Sequence, residues 1–304
     1  MKVFYVPLTI LLFLLTSLGA FAQNTSTEDA EDLLDKIEAK KGSFKIGANY
    51  LSNNVFMGRA DTVRTPTILP EMRYSFKNGI FLSATADYIP NRVTNKLDGG
   101  SAAAGYDFDI TDNFTGGFSY TKLFYAGNST QIGSSISSTV NANLSYDIAS
   151  VITPLVSVDY NFLKQSFGHD IFLNASVSHD FAIDGVFGDK DLLIISPTVA
   201  MNAGTQNFYD AYFVIKKYKV KGKAAQALLA ATESLFATRK KQLSKFTLLD
   251  YELSAPVEYK LGVLILSFTP TYAVAENKLP PRVTKGMVPG TGIFYFETGV
   301  MLKF

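Results

Sequence analysis

The sequence predicts an all-β fold: a transmembrane antiparallel β-barrel of about twelve strands, with a short helix in one long loop. Three observations predict it. Apolar and polar residues alternate with period two through twelve segments from Phe44 to Phe304. Beyond the first residues, no apolar run has the length of a spanning helix, so membrane insertion would have to be by strands. The polar face of the segments carries Ser, Thr, Asn, Gly and acid, which suits a wet interior. A soluble barrel of this strand number would enclose more space than side chains readily fill.

The amino terminus reads as an export leader. Lys2 supplies a positive start, Val3 to Leu18 is mostly apolar, and Ala20-Phe21-Ala22 is a small-residue cleavage site, so residues 1–22 are expected to be removed. Residues 23–42 follow as an acidic, then basic periplasmic segment, in which Leu33, Leu34 and Ile37 can form a short helical stripe. The barrel is expected over 43–304. Loss of Lys2 leaves Lys and Arg equal to Asp and Glu, so net charge indicates no nucleic-acid partner. With no cysteine there is neither a disulfide framework nor a thiolate metal site.

The strands follow in order. The first is expected over Phe44 to Phe56 and the second over Thr67 to Phe76. Lys77-Asn78-Gly79 turns tightly into a third, Ile80 to Ile89, since Asn-Gly suits a hairpin. The fourth, Ser101 to Ile110, meets the fifth, Phe114 to Tyr125, across Thr111-Asp112-Asn113. In the sixth, Ser135 to Ile148, Ile136, Val140, Ala142, Leu144 and Tyr146 share one face. The seventh to ninth are Pro154 to Phe162, Ile171 to Phe181 and Leu192 to Ala203. The tenth, Phe246 to Tyr259, turns at Lys260-Leu261-Gly262 into the eleventh, Val263 to Val274, and the last runs to Phe304. An even count puts both termini on one side. Short turns at Lys77, Thr111 and Lys260 fall on that side, and most long connections fall on the other. Tyr and Phe near the strand ends make an aromatic girdle.

Two charged constellations stand out. By alternation Glu71, Asp87, Asp159, Asp250, Glu252 and Glu297 face the lumen away from its rim, with Lys45, Arg73 and Lys303 against them. A channel lined by one sign of charge concentrates counter-ions, so these acids are expected to line a pore preferring small polar or cationic solutes. The connection 205–245 carries Lys216, Lys217, Lys219, Lys221, Lys223, Arg239, Lys240 and Lys241 beside an Ala- and Leu-rich stretch of helical spacing. Such a loop either folds into the acidic lumen, giving a closed structural barrel, or meets lipopolysaccharide phosphates at the surface, or stays solvated.

Catalysis and metal binding find little support. His-x-Ser pairing, used by outer-membrane phospholipases and lipid deacylases, is absent around His169 and His179, and neither follows an Asp at the spacing the omptin proteases use. Two histidines in unlike contexts make a poor metal site, and no cofactor is implied.

The last segment places Phe294, Phe296, Thr298, Val300, Leu302 and Phe304 on one face. It resembles the terminal strand of bacterial outer-membrane barrels, which implies recognition of Phe304 by the barrel-assembly machinery and a setting in outer-membrane lipid. With Ala20-Phe21-Ala22-Gln23, the chain resembles outer-membrane barrels common in Bacteroidota. Asn54-Val55-Phe56-Met57-Gly58-Arg59, Pro66 or Pro70, and Tyr74-Ser75-Phe76-Lys77-Asn78-Gly79-Ile80-Phe81 are similar to the start of the TorF-like putative barrel family. That resemblance covers the first hairpin, and implies a barrel and no chemistry.

Overall fold

The computed structural model describes residues 42–60, 64–93, 96–127, 129, 131–164, 168–188, 190–208, 243–276 and 292–304. Residues 43–304 form one compact unit. The leader, nearly all of the 23–42 segment, and the basic and helical part of the 205–245 connection lie outside the described residues.

Twelve antiparallel strands make the wall. They are β1 Ser43–Leu51, β2 Thr67–Ser75, β3 Ile80–Tyr88, β4 Leu97–Thr111, β5 Phe114–Tyr125 and β6 Ile136–Tyr146. Next come β7 Thr153–Leu163, β8 His169–Ser178 continued by Phe181–Asp184, and β9 Asp191–Ile195 continued by Thr198–Gly204. The wall ends with β10 Thr247–Ser254 continued by Val257–Leu261, β11 Leu264–Ala275 and β12 Ile293–Lys303. Each strand pairs with its neighbours, and β12 pairs with β1 from Lys45↔Lys303 to Leu51↔Glu297, closing the sheet. Closure leaves no edge strand and satisfies the backbone within the wall, as a bilayer requires.

The closed wall gives alternation two unlike destinations. Met72, Leu82, Phe118, Val140, Leu144, Val158, Leu253 and Val300 are among the large apolar side chains exposed on the outer face. Such a belt is far larger than a soluble monomer tolerates, and it suits lipid. Tyr74–Phe76, Tyr106–Phe108 and Phe114–Tyr146 gather near the end that holds the termini, as a girdle would.

Three strands bend where alternation alone predicts continuity. β8, β9 and β10 are interrupted at His179-Asp180, Ser196-Pro197 and Ala255-Pro256. A proline has no N–H for the ladder. Here the ladder passes through proline carbonyls instead: His179 N–H donates to Pro197 at 3.3 Å, Ser196 to Pro256 at 2.8 Å and Ala255 to Pro270 at 3.2 Å.

Three β-bulges lie at the end opposite the termini and change which side chains face inward. Asp98 is the extra residue between β3 and β4, Ser137 between β6 and β7, and Leu249 between β9 and β10. Ile136 therefore turns inward to pack with Leu163 and Phe172, contrary to the face alternation assigns it. The first strand is also shorter than expected, ending at Leu51, and Val55 and Phe56 belong to a separate hairpin.

Val158, 42 % exposed midway along β7, tests the lipid-facing assignment. Val158→Arg should lower stability in lipid vesicles by about 2–4 kcal/mol, the usual cost of a lipid-facing cation at mid-depth. Ser157→Arg on the opposite face should cost distinctly less in the same denaturant titration.

Candidate functional site at the barrel mouth

After β1 the chain turns into the barrel. Ser52 stays on the wall, its N–H donating to the Phe296 carbonyl and its hydroxyl accepting from Phe296 N–H. Asn53 Oδ1 then accepts the Thr65 N–H at 3.1 Å, pinning the two ends of this connection together. Between them Val55–Phe56 pairs with Arg59–Ala60 across Met57 and Gly58, whose φ values of 50° and 67° are both positive. Two positive φ values in a two-residue turn match the twist of a tight hairpin. The left-handed conformation costs Met57 energy that a glycine would be spared, and packing of Met57 against the apolar cluster offsets it.

Gly58 shows where the tip rests. A Cβ there would lie 2.8 Å from Asp250 Cβ and 3.1 Å from Ala275 Cα, so the turn is seated on the inner wall of β10 and β11. Phe56 meets the Phe208 and Phe172 rings edge-on at 5.1 and 5.8 Å. Ile132, Ile136, Leu163 and Leu249 complete this cluster, with Leu123 against it. The hairpin starts beside β1 and reaches β7, β8 and β10, so it crosses the mouth.

Polar groups hold its flanks. Asn54 donates to Gln131 Oε1 at 3.2 Å, and Gln131 Nε2 donates to Asp87 at 3.1 Å and Asp98 at 2.9 Å. The fully buried Asp98 is matched by an ion pair with Arg92 and a hydrogen bond from Ser129. Asp170 plays a similar part below Phe208. It accepts Thr205 Oγ at 2.5 Å and the N–H groups of Asn207 and Phe208 at 2.8 and 2.6 Å, while Ser135 Oγ donates to the Phe208 carbonyl. On the far side Arg59 donates to the Met57 carbonyl, Gln206 Oε1 and the Glu276 carbonyl at 2.5, 3.2 and 3.0 Å.

Toward the termini the interior changes character. Asn141, Asn143, Asp159, Asn174, Asn49 and Glu71 are half-buried and hydrogen-bonded: Asn141–Asp159 at 2.6 Å, Asn174–Asn202 at 2.8 Å and Asn49–Glu71 at 3.3 Å run across strands, and Asn143–Asn141 at 3.1 Å runs along one. At the terminal end Lys45 faces Lys303 and Arg73 across the ladder, and Arg73 lies 3.7 Å over the Phe81 ring and 2.5 Å from Asp107.

The expected acids divide accordingly. Asp87 belongs to the mouth network. Asp250 lies beneath the hairpin tip, the Glu252 carboxyl meets that of Asp250, and Glu297 lies within electrostatic reach of Glu71. Asp159 is on the other wall, against Asn141. Lys216, Lys217, Lys219, Lys221, Lys223, Arg239, Lys240 and Lys241 lie outside the described residues. Phe304 pairs with Phe44 through both backbone groups. His169 stacks on Tyr160, and His179 packs on Phe181 and bonds to the Val151 carbonyl. Sequence reasoning passes over Arg59, Asp98, Gln131, Asp170 and Phe208. For Arg59 the signal was the Met57-Gly58 turn. For Asp98 it was a carboxylate beside Gly99-Gly100, where a bulge forms without strain.

Neither a protein-family model nor a curated protein matches the chain, so the first-hairpin resemblance rests on its residues alone. Among solved structures the chain is similar to a KdgM porin, at 10 % identity over 86 % of this chain and 99 % of that one, TM-score 0.44. A NanC porin gives 12 % identity over 86 % and 100 %, TM-score 0.41. LpxR from Salmonella typhimurium gives 11 % over 86 % and 99 %, also 0.41. Likeness at this level says nothing of solute or chemistry.

Phe56→Ala should unseat the hairpin; the ring is partly buried, so the cost should fall below the ~3–5 kcal/mol of a fully buried one. Amide exchange over residues 54–60 should rise while the barrel's own transition hardly moves. Asp170→Asn should cost about 1–3 kcal/mol, from weakened acceptance of buried donors, and speed exchange at Asn207 and Phe208 selectively.

Proposed function

We propose that the chain is a passive outer-membrane channel for small polar solutes, with a preference for cations, closed at its outer mouth by the Asn53–Ala60 hairpin. One observation carries this reading: the change in the interior along the barrel axis. The mouth is packed dry, with Phe208, Ile132 and Leu249 almost wholly buried, whereas the wall nearer the termini is half-exposed amide, hydroxyl and carboxylate. A barrel needed only as scaffold has no use for a polar wall next to a dry plug. A conduit has use for both, because the polar wall replaces part of a solute's hydration and the plug interrupts the path.

In this reading Glu71, Asp159, Glu252 and Glu297 line the pathway, and Lys45, Arg73 and Lys303 stand at its periplasmic exit. The hairpin is a closing element in this reading, and the basic part of the 205–245 connection lies outside the described residues. The outer face is solvated by outer-membrane lipid, Phe304 serves the assembly machinery, and the bases of the 205–245 connection meet lipopolysaccharide phosphates. A non-conducting barrel is the competing reading, favoured by how many elements the hairpin ties together.

Bilayer recordings separate the two. Replacing Asn54–Ala60 by a Gly-Ser linker should raise conductance, with Phe304 and the wall strands untouched. Glu71→Gln, Asp159→Asn, Glu252→Gln and Glu297→Gln together should move the reversal potential toward anions. If the linker variant folds and passes no current, the non-conducting reading stands in place of this one.

A further inference from the structure

The hairpin carries one cation into a site that the rest of the protein builds. Arg59 is 8 % exposed, and it donates to one carbonyl of its own hairpin, that of Met57. Gln206 Oε1 and the Glu276 carbonyl belong to the bases of two other connections and would remain if the hairpin withdrew.

Beneath them lies Asp250. It is wholly buried, and neither carboxylate oxygen is in a hydrogen bond of good geometry, although the Asn202 side chain across the ladder and the Glu252 carboxyl lie against it. The other buried mouth carboxylates differ: Asp98 has an ion pair and Asp170 has three donors. Glu252, two residues on and on the same face, brings a second carboxyl against Asp250, with Tyr295 beside it. Two adjoining carboxyls out of water are settled either by a proton shared between them or by a positive charge beside them, and here a guanidinium stands nearby. The Arg59 charge acts on Asp250 without a hydrogen bond between them. The group that Arg59 presents is a planar fork, suited to several oxygen acceptors at once.

We propose that Gln206 Oε1, the Glu276 carbonyl and the Asp250 carboxylate, with Glu252 behind it, form a binding site for a guanidinium cation, occupied in the closed state by Arg59 as a tethered stand-in for the guanidinium group of a solute. The proposal rests on the channel reading only for its consequence, that a solute displacing Arg59 frees the hairpin. Binding itself does not depend on conduction.

The test uses the full chain refolded in detergent, with folding checked by heat-modifiable migration and guanidinium chloride at low millimolar concentration as the probe, against equal potassium chloride. Arg59→Ala should bind guanidinium saturably by calorimetry and melt at higher temperature with it, while the wild type, its site filled, binds far more weakly. Adding Asp250→Asn should weaken that binding by about tenfold or more, the loss expected for a charge-assisted contact. Equal behaviour of wild type and Arg59→Ala, of guanidinium and potassium, or of the single and double variants overturns the site. If Arg59→Ala does not fold, amide exchange at residues 54–60 of the wild type decides. Guanidinium should accelerate it by competing with Arg59, and no acceleration beyond that of potassium overturns the site. A parallel bilayer recording separates the two claims: binding without current removes the channel and keeps the site, and current without binding does the reverse.

Discussion

Everything in this molecule depends on the seam between β12 and β1. Hydrogen bonds from Lys45↔Lys303 to Leu51↔Glu297 turn an open sheet into a wall with an inside and an outside. Without that seam, alternation would only distinguish two faces of a sheet. With it, one face meets lipid and the other a confined space in which carboxylates, amides and guanidinium groups interact at reduced screening. The seam has no apolar core behind it of the kind that holds a soluble sheet. It is held by backbone pairing and by the aliphatic and aromatic side chains outside it, among them Ile46, Leu302 and Val300.

Within the confined space the mouth is made by departures from regular pairing. The bulges at Asp98, Ser137 and Leu249 turn Asp98, Ile136 and Leu249 toward the hairpin. Each bulge leaves backbone groups out of the ladder and increases the local twist. What they deliver is complementary: an acid for Gln131 and Arg92, and two aliphatic side chains for the cluster around Phe56. The carboxylates there follow one rule with one exception. Asp98 and Asp170 are met by well-formed hydrogen bonds from loops that they hold in place, and Asp250 has only poorly aligned neighbours, Asn202 and Glu252, with the Arg59 charge near.

The wall was legible in the sequence because its code is local. Alternation in Asn141, Ala142, Asn143 and Leu144 places each side chain with no knowledge of any other strand, and twelve such segments followed. The mouth was not legible, because its code is not local. Phe56 continues the apolar parity of β1 and was read as strand; what removes it is a turn at Met57-Gly58 that has no Asn-Gly signature, and a seat formed by residues far away in the chain. A bulge such as Leu249 is a register difference between two strands, so neither strand alone reveals it. Asp250 was placed inside by parity, but that it would lie under a glycine depended on the hairpin.

The hairpin leaves the first strand of the barrel, yet its seat is contributed by strands β7, β8, β10 and β11. The seat therefore exists only when strands far apart in the chain have been brought around one circumference. A barrel that closed one strand short, or with β12 slipped by two residues against β1, would present Ala275, Asp250 and Phe172 at altered distances and leave the hairpin unseated. The seated hairpin thus reports on circumference: only a barrel of the right strand number and register offers the first loop its seat.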